Sequence, residues 1–160
     1  MKLADAARDF LASSRVAVTG VSRDPQGHGS NAVYERLIER GFEVFPVNPH
    51  ATELAGKPCY PNLAAIPGGV EAVVIGTRPE HALGTVKEAV ELGVRKIWMH
   101  RSVDAGSVSP EAAAYGREHG ATVIEGGCPL MFDPAADGGH KVMCRVLQLF
   151  GKVPRTVAEP

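Results

Sequence analysis

The chain is poor in cysteine, in aromatic residues and in net charge, and it has no long apolar run. Its three cysteines, Cys59, Cys128 and Cys144, are odd in number and far apart, which excludes both a disulfide framework and a Cys-x-x-Cys metal knuckle. A formal net charge of -1 leaves no basic field of the kind that draws in nucleic acid or an anionic membrane surface. No apolar stretch approaches the roughly 18 residues of a membrane helix. The opening MKLADAARDFLASS carries Asp5 and Asp9 in an amphipathic pattern, so neither a secretory signal nor an Arg-rich transit peptide fits. These absences predict a cytoplasmic protein with no nucleic-acid or membrane partner. One further absence concerns the turn after VAVT: it reads Gly20-Val21-Ser22, with the next glycines only at Gly27 and Gly29. The Gly-x-Gly-x-x-Gly fingerprint of a dinucleotide fold is missing.

What is present is an alternation of periods. At 160 residues the chain suits one domain, 1–160, with its core at about 15–150. Short apolar runs without polar alternation at Arg15 to Thr19, Phe42 to Val47, Glu71 to Ile75, Lys96 to Met99 and Ala121 to Ile124 read as strands covered on both faces. Helical spacing links Val33 with Leu37, Leu83 with Val86 and Val90, and the segment after Ser109-Pro110, a pair that matches an N-cap followed by proline at the first helical position. Gly41, Gly93 and Gly120 stand where helices pass into strands, the place for a left-handed cap. The proline-rich GKPCYPNLAAI, Gly56 to Ile66, predicts a short edge strand and a turn of helix. In HKVMCRVLQLF, Val142, Val146 and Leu149 or Phe150 mark a packing face that is core or a subunit contact; oligomeric state stays open, a homo-oligomer included. The order predicts a Rossmann-like, doubly wound, mostly parallel α/β sheet of about five strands in a single domain.

Such a sheet places ligands beyond the carboxyl ends of its strands. Those ends carry Gly20-Val21-Ser22-Arg23, Asn48-Pro49, Gly76-Thr77-Arg78-Pro79, His100-Arg101-Ser102 and Gly126-Gly127-Cys128-Pro129. In any single loop these residues serve equally well merely to turn the chain. Their coincidence along one edge points to a ligand. In the first loop Gly20 admits a close phosphate, Ser22 and Ser30 add hydroxyls, Arg23 adds a fork of donors, and the helix from about Ser30 offers its positive end. A polyphosphate is the natural guest. Loop length allows a mobile flap, Asp24 to Ser30, to cover it, with His28 exposed. Strand two ends in Asn48-Pro49, without the carboxylate that holds an NAD ribose, and His50-Ala51 offers NADP no arginine.

VAVTGVSRDP, GFEVFPVNPHATELAGKPCYPNLAAIP, GTRPEHALGTVKEAVELGVRKIWMH and TVIEGGCPLMF, in that order and spacing, resemble the stand-alone CoA-binding domain proteins, a fold similar to the CoA-binding domain of the succinyl-CoA synthetase alpha subunit. The resemblance runs from Val16 to about Phe150. It implies a Rossmann-like domain gripping coenzyme A or an acyl-CoA, with Gly20, Ser22 and Arg23 near the phosphates. It implies Val47, Asn48 and Pro49 beside the nucleotide, and Thr77, Arg78 and Pro79 along the pantetheine or phosphates. Val21, Ser30, His100 and Cys128 complete the candidate set. Members often carry glutamine soon after the strand-four tryptophan; here Met99, His100, Arg101 and Ser102 follow Trp98. Cys128 is the best candidate nucleophile, with His100 as its base, but a small apolar residue closing a strand is the simpler account. Metal ligation by His100, Cys128 and His140 lacks any characteristic spacing. The expectation is a CoA-binding protein without evident catalysis; the alternatives are an NAD(P)-binding oxidoreductase domain and a CoA-ligase-like subunit that needs a partner chain.

Overall fold

The computed structural model describes residues 1–24, 29–101, 106–136, 138–151 and 153–160. In the expected flap, Pro25 to His28 therefore lie outside the described residues, as does Ser102. Helix α1 (Leu3–Leu11) leads into β1 (Arg15–Thr19), α2 (Gly29–Glu39), β2 (Glu43–Val47), the two-residue strands β3 (Glu53–Leu54) and β4 (Lys57–Pro58), and β5 (Ala72–Ile75). Then come α3 (Pro79–Glu91), β6 (Lys96–Met99), α4 (Pro110–Glu118), β7 (Thr122–Glu125), a 3-10 turn (Pro129–Met131) and α5 (Gly138–Leu149). The main sheet has the order β2-β1-β5-β6-β7, and every pair in it is parallel. The chain reverses its direction of travel across the sheet between β1 and β5. That is the switch point beside which doubly wound sheets bind ligands.

Strand burial follows the alternation of a sheet covered on both sides. Val16, Val18, Val74, Trp98 and Ile124 join α1, α2 and α5 on one face; Ala17, Val73, Ile75, Ile97, Met99 and Val123 join α3 and α4 on the other. Trp98 anchors the first face, meeting Phe10 edge-on at 5.3 Å and 87°, an arrangement worth about 0.5–1.5 kcal/mol beyond area burial. Its indole N–H donates to the Gly126 carbonyl at 3.0 Å. Ser109 caps α4, accepting from the Ala112 N–H at 3.3 Å, and Gly41, Gly93 and Gly120 all take positive φ.

Two expectations need correction. The short strand expected in Gly56 to Ile66, Lys57–Pro58, pairs not with the main sheet but with β3 in a separate hairpin, and the turn after it forms no helix. The hairpin's corner is Ala55-Gly56, with φ of 50° and 75°, the double left-handed turn that suits a tight hairpin. Beyond it Tyr60 alone reaches β2, through bonds from the Asn48 N–H to the Tyr60 carbonyl (2.9 Å) and from the Tyr60 N–H to the Pro46 carbonyl (3.0 Å). The second correction is to α5: of the two expectations for Val142, Val146, Leu149 and Phe150, core or a subunit contact, the core one fails, since they are 61%, 45%, 76% and 75% exposed, while Cys144 and Leu147 face inward. At the ends of the chain, Lys2 and Thr156 form an antiparallel bridge, and the Val157 N–H donates to the Met1 carbonyl at 3.0 Å.

Candidate functional site

The carboxyl edge is closed at the switch point by an unusually near approach of two loops. Gly20 has φ +77°, and a Cβ there would stand 2.6 Å from the Gly76 carbonyl oxygen. At Gly76 a Cβ would run into Ser30 Oγ and come within 2.7 Å of the Thr19 carbonyl oxygen. The contact is stitched by the Gly76 N–H donating to Thr19 Oγ1 (3.2 Å) and Ser30 Oγ donating to the Gly76 carbonyl (3.2 Å). Only glycine at both positions allows the ends of β1 and β5 and the start of α2 to meet.

The first loop is held from outside. The Asn31 side chain of α2 accepts from the Ser22 N–H at 2.9 Å and donates to the Ser22 carbonyl at 2.8 Å, imitating a strand partner. Asn48 does the same service across loops: its Nδ2 donates to the Val21 carbonyl (2.8 Å) and its Oδ1 accepts from the His50 N–H (2.8 Å). Asn31 escaped sequence reading because a helical asparagine ordinarily faces solvent.

Against this backbone the candidate residues separate. Val47, Asn48, Pro49 and Thr77 line one cavity of about 410 Å³. Val21 is buried in the core, so it offers the edge only its backbone. Ser30 is 3% exposed and its hydroxyl serves Gly76 rather than the solvent. Ser22 Oγ accepts from the Asp24 N–H at 3.1 Å. Arg23 and Arg78 are exposed; Arg78 stands at the N-cap of α3 without a capping bond from its side chain, and Pro79 follows at the first helical position. His100 and Cys128 lie farther along the edge, after β6 and β7, 8% and 3% exposed. The His100 ring covers Gly29, where a Cβ would come 2.8 Å from Cε1, and the Arg101 N–H donates to the Gly127 carbonyl at 2.9 Å. Among the described residues no group of three or more His, Cys, Asp or Glu side chains is placed to hold a metal ion.

The cavity has walls the sequence did not announce. Pro61, Asn62 and Leu63 form one side, and His81, Thr85 and Glu88 of α3 another. The α3 residues recur at i, i+4 and i+7, one helical stripe; being polar, it reads in sequence as a solvated face. Thr77 Oγ1 is buried at the cavity and finds no hydrogen-bond partner among the described residues. Among the described residues no lysine or arginine lines the space, so it suits a neutral, partly polar group, with charge left to the arginines outside. Burial raises the thiol of Cys59, which also meets the Asn48 carbonyl at 3.9 Å.

Among the described residues no helix is long and apolar enough to cross a membrane. The chain is 32% identical over 112 residues to "Uncharacterized protein YneT" of Bacillus subtilis (strain 168), a match covering 70% of this chain and 79% of that one. It is 34% identical over 91 residues to the acetate–CoA ligase (ADP-forming) II subunit alpha of Pyrococcus furiosus, covering 56% of this chain but 20% of the subunit. This chain thus spans a small part of the ligases it resembles. Among solved structures, a hypothetical protein from Pyrococcus horikoshii OT3 superposes with a TM-score of 0.72 at 28% identity, over 79% of this chain and 86% of that one. The dinucleotide-forming acetyl-coenzyme A synthetase 1 of Ca. Korarchaeum cryptofilum gives 0.58 at 27% identity, over 71% and 25%. The profile described as "CoA binding domain" matches residues 14–134, and the chain belongs to that family.

Proposed function

We propose that the chain binds coenzyme A, free or acylated, along the carboxyl edge of its sheet, with the base of the nucleotide in the 410 Å³ cavity and the phosphates outside it. The observation that carries this reading is the cavity's place and make-up. It opens at the β1–β5 switch point, is lined by Thr19, Val47, Asn48 and Thr77 from three strand ends, and holds an unspent hydroxyl at Thr77. The start of α2 and the exposed guanidinium groups of Arg23 and Arg78 supply donors for the anionic part. Coenzyme A would bring its thiol as the carrier of an acyl group; the chain's own residues bind and orient it.

A nicotinamide dinucleotide fits less well. At the end of β2 it requires an acceptor for the ribose hydroxyls, and Asn48 has both ends of its amide engaged, on Val21 and His50. The test is calorimetry with both ligands. CoA should bind at least tenfold more tightly than NAD, about 1.4 kcal/mol; equal or tighter binding of NAD would overturn the reading.

A further inference from the structure

We propose that Glu88 is a positioning residue: it latches the outer wall of the cavity, the stretch from Pro61 to Ile66, onto α3. The inference rests on the reading of the cavity as the site for the nucleotide's base, and concerns how that cavity keeps its shape.

The wall spans two fixed points. Tyr60 is tied to β2 by backbone bonds on both sides of its peptide unit. At the other end Arg15 grips the chain, donating from Nε to the Gly69 carbonyl at 2.9 Å and from Nη2 to the Pro67 carbonyl at 2.6 Å. Between these anchors the stretch has no strand or helix of its own. Its bonds from the Ala65 N–H to Asn62 Oδ1 (3.0 Å) and from the Ile66 N–H to the Leu63 carbonyl (3.2 Å) are internal to the stretch. They shape the wall without attaching it.

Attachment comes from two sources. Leu63 and Ile66, 2% and 4% exposed, bury their side chains among the residues of the α3 face, and the Ala64 N–H donates to Glu88 Oε1 at 3.0 Å. Apolar contact is non-directional and lets a turn slide or roll. A charge-assisted bond from a backbone N–H to a carboxylate fixes distance and direction. Glu88 is also a cavity residue, on the stripe it shares with His81 and Thr85, and among the described lining residues it alone carries a carboxylate. The same side chain therefore borders the ligand space and holds its opposite wall. Glu88 stands in the last turn of α3 (Pro79–Glu91), next to the fully buried Ala89, so the latch is carried by a packed part of the helix.

The experiment joins CoA calorimetry to amide hydrogen exchange at Ala64 in the ligand-free protein. Glu88→Ala should weaken CoA about tenfold or more and speed exchange at Ala64. Glu88→Gln, which keeps an acceptor oxygen at the same reach, should restore both to within about threefold of wild type, a recovery that loss of packing alone would not give. Should Glu88→Ala fail to fold, Glu88→Leu removes the acceptor while keeping volume and helix propensity, and carries the same expectation. Wild-type affinity and unchanged Ala64 protection in the Ala or Leu variant would overturn the latch, as would a Gln variant no better than Ala. If wild type binds CoA while the Glu88 variants are indifferent, only the latch fails. If wild type binds no CoA, the reading of the site fails, and exchange at Ala64 still decides whether the latch exists.

Discussion

Gly76 shows how much of the carboxyl edge depends on single atoms that are absent. A methyl group there would occupy the position of Ser30 Oγ and press on the Thr19 carbonyl, backbone that cannot retreat without opening the sheet. Gly76→Ala is expected to cost about 2 kcal/mol or more, in the range of overpacked core sites, read as a shift in denaturation midpoint. At the same scale the arginines divide. Arg23 and Arg78 are exposed at the edge, and a charge-assisted bond from each to a separate phosphate group would contribute roughly 1.5–3 kcal/mol. Arg23→Ala and Arg78→Ala should each weaken CoA about tenfold and reduce its salt sensitivity. Arg36, paired with Glu39 at 3.5 Å on α2, should matter little when replaced by alanine. Repeating the titrations with dephospho-CoA identifies the arginine at the 3'-phosphate, whose effect should vanish with that group. Retained affinity in both variants would remove the phosphates from this edge.

Among the elements, α5 offers the plainest contrast between pattern and packing. Leu149→Ser, on a side chain 76% exposed, should leave stability within about 0.5 kcal/mol, while Leu147→Ala, on one 8% exposed, should cost about 2 kcal/mol or more. A thermal melt of each distinguishes the outcomes; equal losses would mean the outward face is covered. Periodicity reveals that a helix has an apolar stripe, not which stripe the chain's own core covers: that is the one carrying Cys144 and Leu147, with Val142 and Leu149 turned outward. The five strands were legible because each is a short, mostly apolar run, three of them closed by glycine (Gly20, Gly76 and Gly126), and the parallel order followed from the helices between them. The β3–β4 hairpin was not, since its strands are two residues long and its corner is Ala-Gly rather than Asn-Gly. At the site, sequence could locate strand ends, and with them Asn48 and Thr77. It could not locate the wall at Pro61 to Leu63, or His81, Thr85 and Glu88, because these become neighbours of the edge only when α3 folds back on the sheet.

For the molecule as a whole, the titrating groups predict an alkaline weakness. Burial holds the thiols of Cys59 and Cys144 and the phenol of Tyr34 above their ordinary ranges. The folded protein thus keeps these protons to higher pH than the unfolded chain. Once pH passes the ordinary thiol range the unfolded chain binds fewer protons, and stability falls until the folded groups ionise as well; below that range the contribution is fully present. Urea midpoints should therefore drop between neutral pH and about pH 10, and Cys59→Ala with Cys144→Ala should flatten the thiol part of the decline. A midpoint constant over that interval would contradict the assignment.

The clasp between the two ends of the chain has a topological consequence. Lys2 pairs with Thr156, the Leu3 N–H bonds to the Arg155 carbonyl at 3.1 Å, and Val153 packs within 3.4 Å of where a Cβ on Gly127 would lie. Both ends of the polypeptide therefore emerge together, next to the loop after β7. A peptide bond joining them through a short linker would make a ring that could be reopened elsewhere on the surface. Any protein tethered at either end would be delivered beside the Cys128 end of the carboxyl edge, at the high local concentration that a short tether enforces.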